Sequence, residues 1–210
     1  VTASGATPTI TVTEFTIPAM SAVANSTTDS ETINIGGTNL TGNITVTIDG
    51  TNAAMFSVVT NPSPLTSAGG TATITYTPTA AGTHTATLRL NSTGATEVTR
   101  ELNGTATSPA VTYTWQGADN GDWTTGTNWN PTRTTPAAND ILQFNDGTTK
   151  TVTNVPSQTI AQLSVSNSTK ITLQAGAANI LSIAVGAGDD LSFAAGSELN
   201  ISGATNALTI

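Results

Sequence analysis

Threonine alternates with branched aliphatic residues through the first half of this sequence, as in Thr9-Ile10-Thr11-Val12-Thr13 and Asn43-Ile44-Thr45-Val46-Thr47-Ile48. A period of two puts one set of side chains on one face of an extended backbone, and no helix buries a face written that way. The same alternation marks Thr32–Ile35, Met55–Val59, Thr71–Tyr76, Thr83–Leu90 and Glu97–Leu102. Gly36-Gly37, Asp49-Gly50, Asn61-Pro62, Gly69-Gly70, Ala81-Gly82 and Thr93-Gly94 separate the runs as expected turns. About seven strands in ~100 residues is the pattern of an immunoglobulin-like sandwich, here without the Cys–Trp–Cys core. The predicted core is Ile10, Val12, Ile33, Ile35, Leu40, Ile44, Val46, Phe56, Val58, Ile74, Tyr76, Leu88, Leu90, Val98 and Leu102.

Composition narrows the function classes. Only 9% of residues are charged, against ~25% in an average soluble chain. Lys+Arg 5 against Asp+Glu 13 gives a net charge of −8, so no basic stripe can be assembled for nucleic acid or an anionic membrane. Without cysteine and with a single histidine, thiolate metal sites, disulfides and most histidine chemistry drop out. No apolar run approaches the ~20 residues of a membrane span. This balance of many Thr, Ser, Asn and Gly with few charges points outside the cell. Val1 is not a methionine, and Ile210 falls within an apolar strand pattern. We therefore expect a segment of a longer polypeptide.

Several stretches of residues 8–107 resemble a family. Gly36-Gly37-Thr38-Asn39-Leu40-Thr41-Gly42-Asn43-Ile44-Thr45-Val46, then Met55-Phe56-Ser57-Val58, Thr75–His84 and Leu102-Asn103-Gly104-Thr105-Ala106 are similar to segments of bacterial immunoglobulin-like repeats. These repeats are of the choice-of-anchor D and abnormal-spindle/hydin-like kind, frequent in large secreted Bacteroidetes proteins. The resemblance implies a spacer or adhesive module at the cell surface, exported through the type IX secretion route.

Past a linker at residues 108–110, where Pro109 favours extended backbone, residues 111–210 change character. All three tryptophans fall in Trp115–Trp123 and Asn128-Trp129-Asn130-Pro131. Apolar pairs then recur at Leu163/Val165, Ile171/Leu173, Leu181/Ile183, Leu191/Phe193, Leu199/Ile201 and Leu208/Ile210. A short fixed period of apolar-x-apolar strands reads as a stacked β-solenoid. An antiparallel sandwich with equal strand lengths would give the same pattern. The Trp-rich opening, followed by Thr159-Ile160-Ala161-Gln162-Leu163-Ser164-Val165, resembles the start of autotransporter-like right-handed β-helix proteins. That resemblance implies a parallel β-helix whose first rungs are present and whose edge at Leu208-Thr209-Ile210 should recruit a strand or fray. The expected fold class is all-β: a sandwich over 1–107, then the N-terminal part of a parallel β-solenoid.

Few constellations carry chemistry. Trp115, Trp123 and Trp129 offer either a sugar-stacking platform or, as we prefer, a hydrophobic plug for the open end of the solenoid. Asp119 and Asp122 offer oxygen ligands for calcium, but Asp119-Asn120-Gly121-Asp122 reads more simply as an Asx turn. Asp189-Asp190 follows Gly186-Ala187-Gly188 and reads as a solvated turn rather than a glycosidase pair. His84, between two threonines, reads as a surface side chain. No GxSxG elbow, phosphate loop or second histidine accompanies it.

The sequence thus predicts a non-catalytic stalk or adhesin segment, extracellular or at the cell surface. Its expected partners are an extracellular protein or glycan surface, neighbouring repeats of its own polypeptide, and further copies in self-assembly. No cofactor is required beyond the possible calcium. Two alternatives remain open: a carbohydrate-binding accessory region of a polysaccharide-active protein, and a filament or surface-layer subunit.

Overall fold

The computed structural model describes residues 5–183, 189–202 and 208–210. The predicted Gly186-Ala187-Gly188 turn lies outside them. The chain divides into two compact units, Val1–Pro109 and Ala110–Ile210, and both are built from strands.

The first unit holds β1 (Thr9–Val12), β2 (Met20–Val23), β3 (Asp29–Thr38), β4 (Thr45–Asp49), β5 (Phe56–Thr66), β6 (Gly69–Tyr76), β7 (Gly82–Asn91) and β8 (Val98–Thr107). They form two four-stranded sheets, β1-β3-β6-β5 and β2-β8-β7-β4. Every pairing is antiparallel except β2 with β8. Period two decides which face is inside. On β6 Ala72, Ile74 and Tyr76 are buried, and the threonines between them face outward. The inward residues of both sheets form one cluster. All fifteen predicted core residues belong to it, with Val12, Leu40, Val46, Val58 and Val98 at its partly buried margin.

Three expectations are corrected here. Strand β2 was not predicted, because Met-Ser-Ala-Val lacks the threonine alternation, yet Met20 is fully buried. Gly36-Gly37 is not a turn. It continues β3, with Gly36 opposite Thr11 and Gly69. A Cβ on Gly37 would lie 2.4 Å from the Ser67 carbonyl oxygen, so glycine serves close approach rather than reversal. Asn61-Pro62 also lies within a strand, since β5 runs through it to Thr66.

The second unit holds β9 (Thr112–Trp115), β10 (Gly121–Asp122), β11 (Trp129–Asn130), β12 (Ile141–Phe144), β13 (Thr149–Val155), β14 (Gln158–Ile160), β15 (Gln162–Val165), β16 (Lys170–Ala175), β17 (Asn179–Ile183), β18 (Leu191–Phe193), β19 (Glu198–Ser202) and β20 (Leu208–Thr209). Its sheets have the orders β11-β9-β12-β15-β18, β10-β13-β16-β19 and β14-β17-β20. All pairings are parallel except β11 with β9.

Identical positions therefore recur in columns. Tyr113, Leu142, Leu163 and Leu191 are successive partners, and so are Phe144, Val165 and Phe193, or Val152, Leu173 and Ile201. The inner members of these columns share one core. Turns align as well. Gly147, Asn167, Ser168 and Gly196 all have positive φ, and a Cβ on Gly147 or Gly196 would touch Asn167 or Ser168 respectively. Left-handed corners thus sit against one another, where small residues let neighbouring turns approach.

Candidate functional site

Strand β9 carries Trp115 and pairs antiparallel with β11, which sets Trp129 directly across from it. Trp123 follows β10 and is held by its N–H donating to the Thr153 carbonyl at 2.9 Å. The three indoles meet edge to face: Trp115 and Trp129 have centroids 4.9 Å apart, and Trp123 and Trp129 5.0 Å apart. Phe144 of β12 packs on all three. The Trp129 Nε1 donates to the Trp123 carbonyl at 3.0 Å. The Nε1 atoms of Trp115 and Trp123 are buried without a hydrogen-bond partner.

This burial corrects the sugar-platform reading. The rings are 2%, 2% and 1% exposed, and neighbouring aromatic rings pack against them. Stacking needs an open face, and these indoles present none. The spacing in Trp115-Gln116-Gly117-Ala118-Asp119-Asn120-Gly121 also acquires a cause. A Cβ on Gly117 would stand 2.4 Å from the Trp115 ring, and one on Gly121 2.8 Å from it. The loop lies flat on the indole because two glycines permit it.

Asp119 and Asp122 are placed close together in sequence but each is spent on the fold. Asp119 accepts from the Thr151 N–H at 2.8 Å and from the Asn120 amide at 3.1 Å. Asp122 accepts from the Thr124 N–H and hydroxyl, both at 2.7 Å, and from the Asn154 amide at 2.7 Å. The Thr124 hydroxyl, joined by Asn154, holds the Asp122 carboxyl below its ordinary range, with burial opposing. The Thr124 bonds close an Asx turn. Among the described residues no group of three or more His, Cys, Asp or Glu side chains could hold a metal ion, so the calcium reading gains no ligand set. Asp189 and Asp190 are exposed, and their carbonyls accept from Gln162 and Leu163.

Arg133 and Asp140 were not singled out from sequence. Both are buried, and the Arg133 Nε and Nη2 donate to one Asp140 oxygen at 2.8 and 2.7 Å. The same oxygen accepts the Ala137 N–H at 3.0 Å. The guanidinium carbon lies 5.7 Å from the Tyr113 ring centre and 5.8 Å from that of Trp129, within cation–π range. Only five basic residues occur in the chain, and this one follows Trp129-Asn130-Pro131-Thr132 directly in sequence. That adjacency was the available signal.

His84 is also corrected. It is buried in the first unit, with its Nδ1 2.6 Å from the Tyr76 hydroxyl. Its Cα partner across the sheet is Gly104, and a Cβ there would collide with the Tyr76 ring.

At the far end of the second unit the columns lose their cover. Leu191 and Phe193 are 40% and 49% exposed, whereas Leu163 and Val165 below them are buried. Ile201 repeats this above Leu173. Leu208 is buried and Ile210 exposed.

Among the described residues no helix is long and apolar enough to cross a membrane. No family model matches the chain, and no curated protein matches it. Solved structures that match in part include the S-layer protein rSbsC(31-844), at 23% identity over 50% of this chain, with a TM-score of 0.33. Domains 4 and 5 of the S-layer protein SbsC match at 21% identity over 46% of this chain and 47% of theirs, with a TM-score of 0.29. A titin M10–obscurin-like 1 Ig complex matches at 12% identity over 50% of this chain and 97% of its own, with a TM-score of 0.33. The chain spans 14% of the length of the first S-layer structure.

Proposed function

We propose that this chain is a structural segment of a secreted or cell-surface bacterial protein, in which an immunoglobulin-like sandwich leads into the first coils of a parallel β-solenoid. The observation that carries the reading is the register of the second unit. Tyr113, Leu142, Leu163 and Leu191 succeed one another through a parallel sheet, with buried indoles against its first strand and an uncovered apolar strand at its last. One coil has no second layer of its own, so it buries its apolar face only by stacking. The three indoles then act as the terminal cap that such a stack needs for solubility.

The sandwich reading rests on strand order. Lettered by the immunoglobulin fold, β1-β3-β6-β5 is A-B-E-D and β8-β7-β4 is G-F-C; β2 adds a strand beside G. We assign the sandwich to residues 1–107, the linker to 108–110 and the coils to 111–210. The Bacteroidetes-type origin and type IX export rest on the family resemblance alone. The role that fits is a stalk or adhesive spacer, without assigned catalysis.

Cysteine pairs test the coil. The chain has no cysteine of its own, so engineered thiols report without interference. Gln143→Cys with Ser164→Cys, and Thr151→Cys with Thr172→Cys, place thiols at parallel partners, within the Cα separation a disulfide spans. Both should oxidise readily, whereas Gln143→Cys with Thr172→Cys, on different sheets, should not. The reverse outcome removes the solenoid.

The uncovered Leu191, Phe193 and Ile201 favour a second reading, a filament or surface-layer subunit whose neighbour covers the last coil. Light scattering across concentration separates the two. A monomer at every concentration eliminates the subunit.

A further inference from the structure

Phe15 is 88% exposed on the segment between β1 and β2. A lone apolar side chain at a surface needs no explanation by itself, but this one is displayed by an anchored backbone. On one side the Glu14 carboxylate accepts from the Thr13 hydroxyl at 2.8 Å and the Asn34 N–H at 3.1 Å. The Glu14 carbonyl accepts from the Arg100 Nε at 2.9 Å. On the other side Ile17 is buried in the sandwich core. The backbone carrying the ring is therefore anchored on both flanks, by hydrogen bonds at Glu14 and by burial at Ile17, an arrangement that lowers the ordering cost of any contact it makes.

Beside the ring lies a cavity of about 260 Å³, whose lining includes Thr16, Arg100, Glu101 and Asn103. Through the shared Thr99, Arg100 and Glu101 it meets a second depression of about 460 Å³ that reaches Thr85, Thr87 and Thr51. The rows follow from the β7–β8 ladder, where Thr87 faces Glu101 and Thr85 faces Asn103. One cation and one anion line this path, and the rest of its polar atoms are hydroxyls, amides and carbonyls. That inventory selects against a charged ligand. It suits one with hydroxyls around its rim and an apolar C–H face for the ring, and it is unlike the apolar pocket that most drug-sized molecules fill.

We propose that the groove from Phe15 across Glu101 to Thr51 binds a neutral oligosaccharide, with Phe15 stacking on one sugar ring and the β7–β8 side chains holding its hydroxyls. The site is separate from the indole cluster and does not depend on the second unit. The alternative occupant is a protein that takes Phe15 into a pocket of its own; the polar floor favours the sugar.

The test uses the full 210-residue chain, isotope-labelled for NMR and titrated with cellohexaose, xylohexaose and chitohexaose to millimolar concentration. At least one sugar should shift the amides of Phe15, Thr16, Thr87 and Glu101 in a saturable way. Phe15→Ala should weaken it about tenfold, Phe15→Trp should restore or tighten it, and Glu101→Gln should weaken it without altering the fold. Thermal unfolding checks that each variant is intact. The proposal fails if none of the three hexasaccharides moves those amides. It also fails if Phe15→Ala, still folded, binds as the parent does, or if the shifts map to the Trp115 region instead.

Discussion

Removing the charge of Arg133 should unfold the second unit selectively, and the chain carries its own reporter for this. All three tryptophans lie in that unit, so indole fluorescence follows its unfolding and ignores the sandwich. In Arg133→Met the replacement fills similar volume, but the buried Asp140 oxygen loses both guanidinium donors and keeps the Ala137 N–H. Breaking a buried pair in this way costs about 3–5 kcal/mol. The lost contacts with Tyr113 and Trp129 add about 0.5–1 kcal/mol each. In a unit of roughly 100 residues each kcal/mol moves the midpoint by about 4–8 °C, so a fall of at least ~16 °C is expected. Asp140→Asn should cost less, because the stranded guanidinium keeps two ring faces and the Gln158 oxygen at 3.3 Å. The double variant should be less harmed than the sum of the singles, since neither leaves the other's charge exposed to an apolar core. A loss under ~1 kcal/mol for Arg133→Met, or strict additivity, would refute the claim that this pair is structural.

Other perturbations give sharp outcomes. Gly117→Ala should cost about 1–3 kcal/mol and shift the indole emission, because its Cβ overlaps Trp115. Gly104→Ala should destabilise the sandwich to a similar degree by collision with Tyr76, read by far-ultraviolet circular dichroism while the indole signal is unmoved. The Asp122 carboxyl is held below its ordinary value by Thr124, then Asn154, against burial. The unfolded chain therefore binds the proton first, so this stabilisation is present above about pH 4 and lost as pH falls through the lower folded value. Asp122→Asn should flatten that part of the acid-unfolding curve; an unchanged curve would contradict it. Leu173→Ala, at the middle of a buried column, should cost about 2–5 kcal/mol, whereas Ile201→Ala at the uncovered end should cost under half of that in denaturant titrations.

How much of this was legible in the sequence depended on whether parity was followed to its end. The sandwich core was legible because threonine marks the outer face of most strands and the apolar residues of the opposite parity went inside, with Val59 of β5 the exposed exception. His84 obeys the same rule: it shares parity with Ala86, Leu88 and Leu90, all buried. Its polar identity argued for the surface, but position within the strand prevailed once Tyr76 could satisfy it. Strand β2 escaped because Ser21 and Val23 give no alternation, and its burial comes from pairing with β8. The glycine pairs misled for a related reason. Gly36 and Gly37 mark close approach of chains distant in sequence, which a local turn rule has no means to express. In the second half the apolar pairs were legible, while their direction was not, since parallel and antiparallel ladders write the same alternation.

The weakly charged composition follows from what holds the parallel strands of the second unit together. Parallel strands leave corners at which backbone groups of successive turns come near without meeting, and small polar side chains bridge them. The Asn167 amide donates to the Asn145 carbonyl at 3.0 Å, Asn179 to the Val155 carbonyl at 2.8 Å, and Gln162 to the Asp189 carbonyl at 2.7 Å. In the opposite sense the Gly147 N–H donates to the buried Thr169 hydroxyl at 2.9 Å. Each such bond contributes about 0.5–1.5 kcal/mol. Lys150 makes a bridge of the same kind, its Nζ donating to the Gly117 carbonyl at 3.0 Å, while the Lys170–Glu198 pair lies exposed between adjacent strands. Parallel strands joined this way need neither disulfides nor a dense charge network, and the buried Arg133 beside the indoles stands out as the exception.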